Sequence, residues 1–196
     1  MTPREWSQPI EMQNAVVRLE PLAERHLRAL FEATPAETFV HFTSRPTPWS
    51  WESFAEFFGG FPKEPTACPY AVIDLATGQP VGSSAYLDIR PAHRGVEIGF
   101  TWYAPAARGT KINPASKLLL LEHAFERLGC ERVQLKCDGR NVRSQAAIAK
   151  LGAVREGTLR KHIVMPDGYV RDTVMFSIVR DEWTTVKAAL LARING

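Results

Sequence analysis

The stretch that most constrains this chain runs from Val96 to Leu151. A β-branched and aromatic run, Val96 to Tyr103, passes through an irregular loop, Ala104 to Ile112, into a strongly periodic helix. There Leu118, Leu121, Phe125 and Leu128 recur at helical spacing and Gly129 supplies the stop. Glu131 to Cys137 then alternates Val133, Leu135 and Cys137 against Arg132, Gln134 and Lys136, the pattern of a strand with one buried face. A second helix, Val142 to Leu151, ends at Gly152. Strand, helix and strand in that order call for a crossover connection, and with it a parallel pairing.

Elsewhere the pattern is antiparallel. Ala15 to Glu20 reads as a short strand stopped by Pro21, after which Leu22, Leu27, Leu30 and Phe31 fall at helical spacing. A tract rich in proline and aromatics follows, with a helix over Ser50 to Phe58 that puts Trp51, Phe54, Phe57 and Phe58 on one side. Those rings, with Trp49, either wall a substrate groove or form the core beneath that helix. Tyr70–Leu75 and Val81–Ile89 pair across a tight turn at Thr77-Gly78. Pro166-Asp-Gly168 turns a closing hairpin, Gly157–Met165 with Tyr169–Val179, and a last helix buries Trp183, Val186, Leu190 and Ile194. The expected fold class is α+β: a mixed, mostly antiparallel sheet of six to seven strands flanked by helices. A loose polar lead-in over residues 1–14 precedes a single domain over 15–196.

Composition narrows the function classes. At 45% hydrophobic and 23% charged, the 196 residues suit a globular domain and not a disordered or collagenous chain. A net charge of +3 is too thin for tracking along DNA, but suits a pocket for a small anion. Three cysteines without C-x-x-C spacing and five histidines without H-E-x-x-H point to no metal site and no disulfide framework. Neither a signal-peptide core nor a membrane-length apolar run is visible, so the expected location is cytoplasmic, without membrane contact. The absence of P-loop and G-x-G-x-x-G signatures argues against nucleotide hydrolysis and dinucleotide chemistry. Cys137 reads as core, and His123 as solvent-facing.

The loop before the long helix carries the chemistry. Asn113 reads as an N-cap and Pro114 as the first helical residue. The leading N–H groups and the helix dipole then make a seat for an anion such as phosphate, with Arg108 and Lys111 adding charge. On spacing alone, a well-capped helix beside a solvated basic loop is the commoner explanation.

Several segments, in order, carry a resemblance: Val17-Arg18-Leu-Glu-Pro-Leu, Val96-Glu97-Ile-Gly99-Phe-Thr-Trp102, Arg108-Gly-Thr-Lys-Ile-Asn113, Asn141-Val-Arg-Ser144 through Lys150-Leu-Gly152, and the hairpin from Glu156 to Asp172. Over roughly residues 15–183 the chain resembles the GNAT superfamily of acetyl-CoA-dependent N-acetyltransferases, and within it the Rim-type branch that acetylates ribosomal-protein N-termini. The resemblance implies acetyl-CoA as co-substrate and an amine acceptor, either a protein N-terminus or a small molecule. It implies a sheet whose fourth and fifth strands splay to admit the pantetheine arm, and paired subunits fit this branch. Carried onto this sequence, the backbone of Phe100, Trp102 and Tyr103 would face the thioester. Arg108, Gly109, Thr110, Lys111, Ile112 and Asn113 would hold the pyrophosphate, and Asn141 and Ser144 would contact coenzyme A.

The family loop usually reads Q/R-x-x-G-x-G/A, and here Lys111 and Asn113 stand at the two small-residue positions. Lys111 either crowds the pyrophosphate or swings out and neutralises its charge. Glu97 is the expected base, and strand alternation groups it with Gly99 and Thr101, although a half-exposed surface glutamate reads the same way. Glu156 and Asp172 are rival carboxylates that cross-strand pairing with Arg160 or Arg171 explains as well. The helix after Asn141 lacks a tyrosine, which leaves Ser144 or solvent to protonate the leaving thiolate. Two other readings remain: a catalytically silent acyl-CoA-binding sensor, and an RNA-associated module using Arg108, Lys111, Arg140 and Arg143.

Overall fold

The structure is a computed structural model that describes residues 6–61 and 67–196. Eight strands form one sheet: β1 (Met12–Gln13), β2 (Val17–Pro21), β3 (Cys68–Asp74), β4 (Gln79–Arg90), β5 (Gly95–Tyr103), β6 (Arg132–Asp138), β7 (Val154–Val164) and β8 (Val170–Val179). Their spatial order is β1-β2-β3-β4-β5-β6-β8-β7. Only β5 and β6 run parallel. Five α-helices are described: α1 (Glu24–Ala33), α2 (Trp51–Gly60), α3 (Ile112–Glu122), α4 (Val142–Ala149) and α5 (Trp183–Asn195).

Period-two alternation sorts the side chains into two cores. From β3, Tyr70 and Val72 join Leu120 of α3, Phe125 just beyond it, and Trp183 and Leu190 of α5. Ala71 and Ile73 point the other way, into a second core with Leu27 and Leu30 of α1, Phe54 and Phe58 of α2, and Trp102 of β5. The aromatic tract therefore builds core: Phe54 and Phe58 pack tilted at 4.4 Å between centroids, and Phe39 meets Trp102 at 5.2 Å. Full burial of one such side chain stabilises by about 1.5–3 kcal/mol, so this small cluster anchors both helices.

Three details differ from the sequence pattern. Ordered structure begins before residue 15: Trp6 is buried, and Met12–Gln13 pairs with β2 to make an eighth strand. The first five residues of the segment read as a lead-in lie outside those described. Asn14 explains the order there, since its Oδ1 accepts the N–H groups of Val16 and Val17, and its Nδ2 donates to Ala115 O at 2.9 Å.

His123 is buried and not solvent-facing. It opens a π-helical turn, His123–Arg127, and its Nδ1 lies 3.3 Å from the Tyr86 hydroxyl, which donates to Leu120 O. A hydroxyl taking that carbonyl competes with the helical ladder, and the following turn widens. Burial, with Arg127 adding to it, lowers the His123 pKa and keeps the ring neutral.

Helix α3 begins at Ile112, two residues before the expected first helical residue, Pro114. Thr110 takes the capping work expected of Asn113: its Oγ1 accepts from Ile112 N (3.2 Å) and donates to Ala107 O (2.8 Å).

Candidate active site

The parallel ladder between β5 and β6 holds three pairs, Gly95–Arg132, Val96–Val133 and Glu97–Gln134. Beyond Glu97 the free edge of β5 faces the gap. There the β4 register jumps from Ser83↔Trp102 to Ala85↔Gly99, so β5 carries an extra residue. This β-bulge places Phe100 at φ 49°, a left-handed conformation that non-glycine residues adopt with strain.

The bulge re-sorts the faces. Phe100 stays on the aromatic side, 4.5 Å from Phe61 and 5.0 Å from Phe42. Thr101 turns to the α3 side, which corrects the alternation that grouped it with Glu97 and Gly99. Its Oγ1 lies 2.7 Å from Ser84 Oγ and accepts from Lys117 Nζ at 2.6 Å. Ala104 N–H donates to Val81 O of β4 at 2.8 Å. Alternation then points the Trp102 amide at β4 and the Tyr103 amide toward β6. The Trp102 ring belongs to the core.

Glu97 is buried, at 2% exposed, which removes the surface-glutamate reading. Lys136 Nζ (2.9 Å) and Gln134 Nε2 (3.1 Å) both donate to Oε2, while Oε1 lies beside Gly99. The rival carboxylates are engaged elsewhere. Glu156 is clasped by both Arg132 guanidinium nitrogens and by Ser177 Oγ (2.9 Å), and Asp172 accepts the Lys161 N–H at 2.7 Å. Neither takes Arg160 or Arg171 as its partner. Arg171 is buried and donates to Thr173 Oγ1 (3.1 Å) and His41 O (3.4 Å).

At the other end of the gap, Arg108 folds back onto the protein, donating from Nε to Tyr103 O (2.9 Å) and from Nη2 to Thr38 Oγ1 (2.7 Å). Burial, then the charge of Arg143 on α4, lowers its pKa, so two guanidiniums lie near one another here. Gly109 turns with φ +75°, and Gly109, Thr110 and Lys111 are exposed while Ile112 is buried. Asn141 caps α4 by accepting the Ser144 N–H at 3.0 Å. Because α3 follows β5 and α4 follows β6, two helix N-termini open beyond the C-terminal ends of the parallel pair. Burial pushes the Cys137 thiol up, with the Ser144 hydroxyl bonded to it and working against that shift.

The sequence reading passed over two charged residues of this region. Asp138 ends β6 with a wholly buried carboxylate. Burial opposes its charge, but Arg140, through its guanidinium (2.8 Å) and its backbone N–H (2.8 Å), lowers the pKa below the usual carboxylate range. The signal was Asp138-Gly-Arg140 closing an alternating strand. Lys117 is the other: it is 4% exposed, and burial pushes its pKa down to about 7. It shares the apolar stripe of Leu121, Ala124 and Leu128, where a lysine is out of place.

Pockets of about 320 Å³, beside Phe39 and Trp49, and about 220 Å³, beside Leu27 and Trp51, are lined by no residue of β5 or β6. Among the described residues no cluster of His, Cys, Asp or Glu is arranged to hold a metal, and no helix is long and apolar enough to cross a membrane.

The mixed α+β sheet, with its one parallel pair and a helix N-terminus following each of those two strands, is an acetyltransferase fold. The GNAT acetyltransferase domain matches residues 17–154, and the chain belongs to that family, whose members transfer acetyl from acetyl-CoA to amines. A T. thermophilus structure assigned as an acetyltransferase is 39% identical, with a TM-score of 0.90 over 96% of this chain and 99% of that one. A GCN5-related N-acetyltransferase from Brucella melitensis is 29% identical, with a TM-score of 0.90 over 98% and 88%. The Bacillus subtilis protein YdaF, assigned as a ribosomal N-acetyltransferase, is 29% identical over 109 residues, 56% of this chain and 58% of its own length. Mycobacterium smegmatis RimJ in complex with CoA-disulfide shares the fold at 23% identity, with a TM-score of 0.74 over 90% and 88%.

Proposed function

We propose that this chain transfers the acetyl group of acetyl-CoA to a primary amine by direct attack on the thioester. The observation that carries this reading is the three-pair seam between β5 and β6, with the bulge at Phe100 set immediately beyond it. An extended pantetheine arm fits such a gap as an added strand. The thioester oxygen would then lie against the outward Tyr103 N–H just past the bulge, which stabilises the oxyanion.

The amine nitrogen bonds to the carbonyl carbon, and the carbon–sulfur bond breaks. The amine's proton passes to Glu97 Oε1, directly or through water, while Lys136 and Gln134 hold Oε2. The departing thiolate takes a proton from the Ser144 hydroxyl, which solvent reprotonates, or from solvent itself. The pyrophosphate would lie over the start of α3, at Gly109 to Asn113, with Arg108 and Arg143 supplying charge. The exposed Lys111 supports the reading in which it swings outward and neutralises phosphate. Asn141 and Ser144 would border the cofactor from α4.

The likeness to YdaF, assigned as a ribosomal N-acetyltransferase, supports a ribosomal-protein amine such as an N-terminus as acceptor, ahead of small-molecule amines. Calorimetric titration with acetyl-CoA, CoA and dephospho-CoA, followed by an acceptor panel of ribosomal-protein N-terminal peptides, amino acids and polyamines, tests the reading. Saturable binding with turnover of a peptide amine supports it. Binding without turnover of any amine gives the acyl-CoA sensor instead, and absence of binding leaves only the fold.

A further inference from the structure

We propose that Lys117 is a positioning residue for this transfer, clamping the bulge of β5 from helix α3 so that the outward Tyr103 N–H just past it holds the geometry the thioester needs. The inference rests on the acetyltransferase reading above. Lys117 Nζ donates to Ser84 Oγ at 2.7 Å and to Thr101 Oγ1 at 2.6 Å, and those two hydroxyls lie 2.7 Å apart. The triangle spans the irregularity: the ladder jumps from Ser83↔Trp102 to Ala85↔Gly99, so Ser84 is the β4 residue opposite the extra residue of β5.

A left-handed non-glycine residue such as Phe100 is strained and persists only where its surroundings hold it. On one face the Phe100 ring is gripped by Phe42, Phe57, Phe58 and Phe61. On the other, the side chains of Lys117 and Ser84 hold Thr101. Lys117 sits on the helix whose N-terminus would seat the pyrophosphate, and it reaches the strand that would polarise the thioester. It therefore ties the two ends of the site together.

Packing does not require an amine here. Both of its partners are neutral hydroxyls, and they already bond each other, so an apolar side chain of similar length would leave nothing unsatisfied. Burying an amine without a carboxylate opposes stability, and such unfavourable placements concentrate at functional sites.

The test compares the wild-type protein with Lys117→Met and Thr101→Val, measuring kcat and KM with a peptide acceptor, CoA affinity by calorimetry, and Tm. We expect both variants to fold and to bind CoA within about twofold of wild type. Their kcat should fall about 100-fold, the scale of an ångström-sized misplacement of reacting groups. Wild-type kcat in either folded variant overturns the inference. So does loss of CoA affinity in step with kcat, which would place Lys117 in cofactor binding. Should Lys117→Met fail to fold, Thr101→Val decides on the same criteria. A wild-type protein that binds CoA but turns over no amine refutes the acetyltransferase reading itself, and this inference with it.

Discussion

Replacing Lys117 by methionine should stabilise the protein near neutral pH, and the gain should shrink steadily as pH rises. Burial pushes this amine from its ordinary 10.5 down to about 7 in the folded protein, whereas in the unfolded chain it titrates near 10.5. Below pH 7 the amine is charged in both states, and the folded state bears the full desolvation. An interval of about 3.5 pH units, at about 1.4 kcal/mol each, sets that burden at roughly 5 kcal/mol. The two bonds lost to Ser84 and Thr101, at about 0.5–1.5 kcal/mol each for the neutral amine, offset about 1–3 kcal/mol of the gain. Between pH 7 and 10.5 only the unfolded chain holds the extra proton, so wild-type stability climbs by about 1.4 kcal/mol per unit while the variant lacks this climb. Urea unfolding of both proteins at pH 6.5, 7.5, 8.5 and 9.5, followed by tryptophan fluorescence, measures the difference. Every other titrating group is common to both and cancels. Parallel stability curves would refute the reasoning, because they would mean that the Lys117 amine keeps an ordinary proton affinity after folding.

Further outcomes follow from the same geometry. Glu97→Gln should lower kcat by about 100-fold or more with acetyl-CoA affinity unchanged, and steady-state kinetics showing wild-type kcat would discard it as the base. Gly99→Ala would set a Cβ 2.8 Å from both Glu97 Oε1 and Leu87 Cδ1. Both are side-chain ends that can yield, so the variant should fold but turn over slowly, and full activity would show that the position of Oε1 is unimportant. Glu20 is held at about 2, by Arg25 foremost and by His26 and Arg18, against the pull of its own burial. Its contribution is complete above pH 4.5 and disappears as pH falls toward 2. The stability gap between wild type and Glu20→Gln, up to about 3 kcal/mol, should therefore close across that window in acid titrations.

What could be read from the sequence was what local periodicity controls. Val133, Leu135 and Cys137 are buried as their alternation requires, and the leucine stripe of α3 faces the sheet. The long-range contacts left weaker traces. No glycine marks the bulge, because Phe100 is held left-handed by four other phenylalanines and not by its own preference. One extra residue then reverses the face of Thr101. Thr110 and Asn113 are both good caps, and the choice between them was made by the Ala107 carbonyl within reach of Thr110. Glu97 looked like any strand glutamate, since the lysine and glutamine that neutralise and bond it come from β6, beyond the whole of α3. His123 looked polar and therefore outward, but a tyrosine from β4 supplies its partner.

The seam between β5 and β6 also has a mechanical meaning. Three ladder pairs join a block of five strands to a block of three, with the side chains of Lys136 and Gln134 reaching across the same seam to Glu97. A ligand lying in the gap would bond to both sides and act as a ninth strand, carrying load that the protein alone cannot carry. Amides along the second half of β5 and the end of β6 should then exchange with solvent readily in the free protein and slowly once the gap is filled, so the co-substrate would finish the sheet as well as react within it.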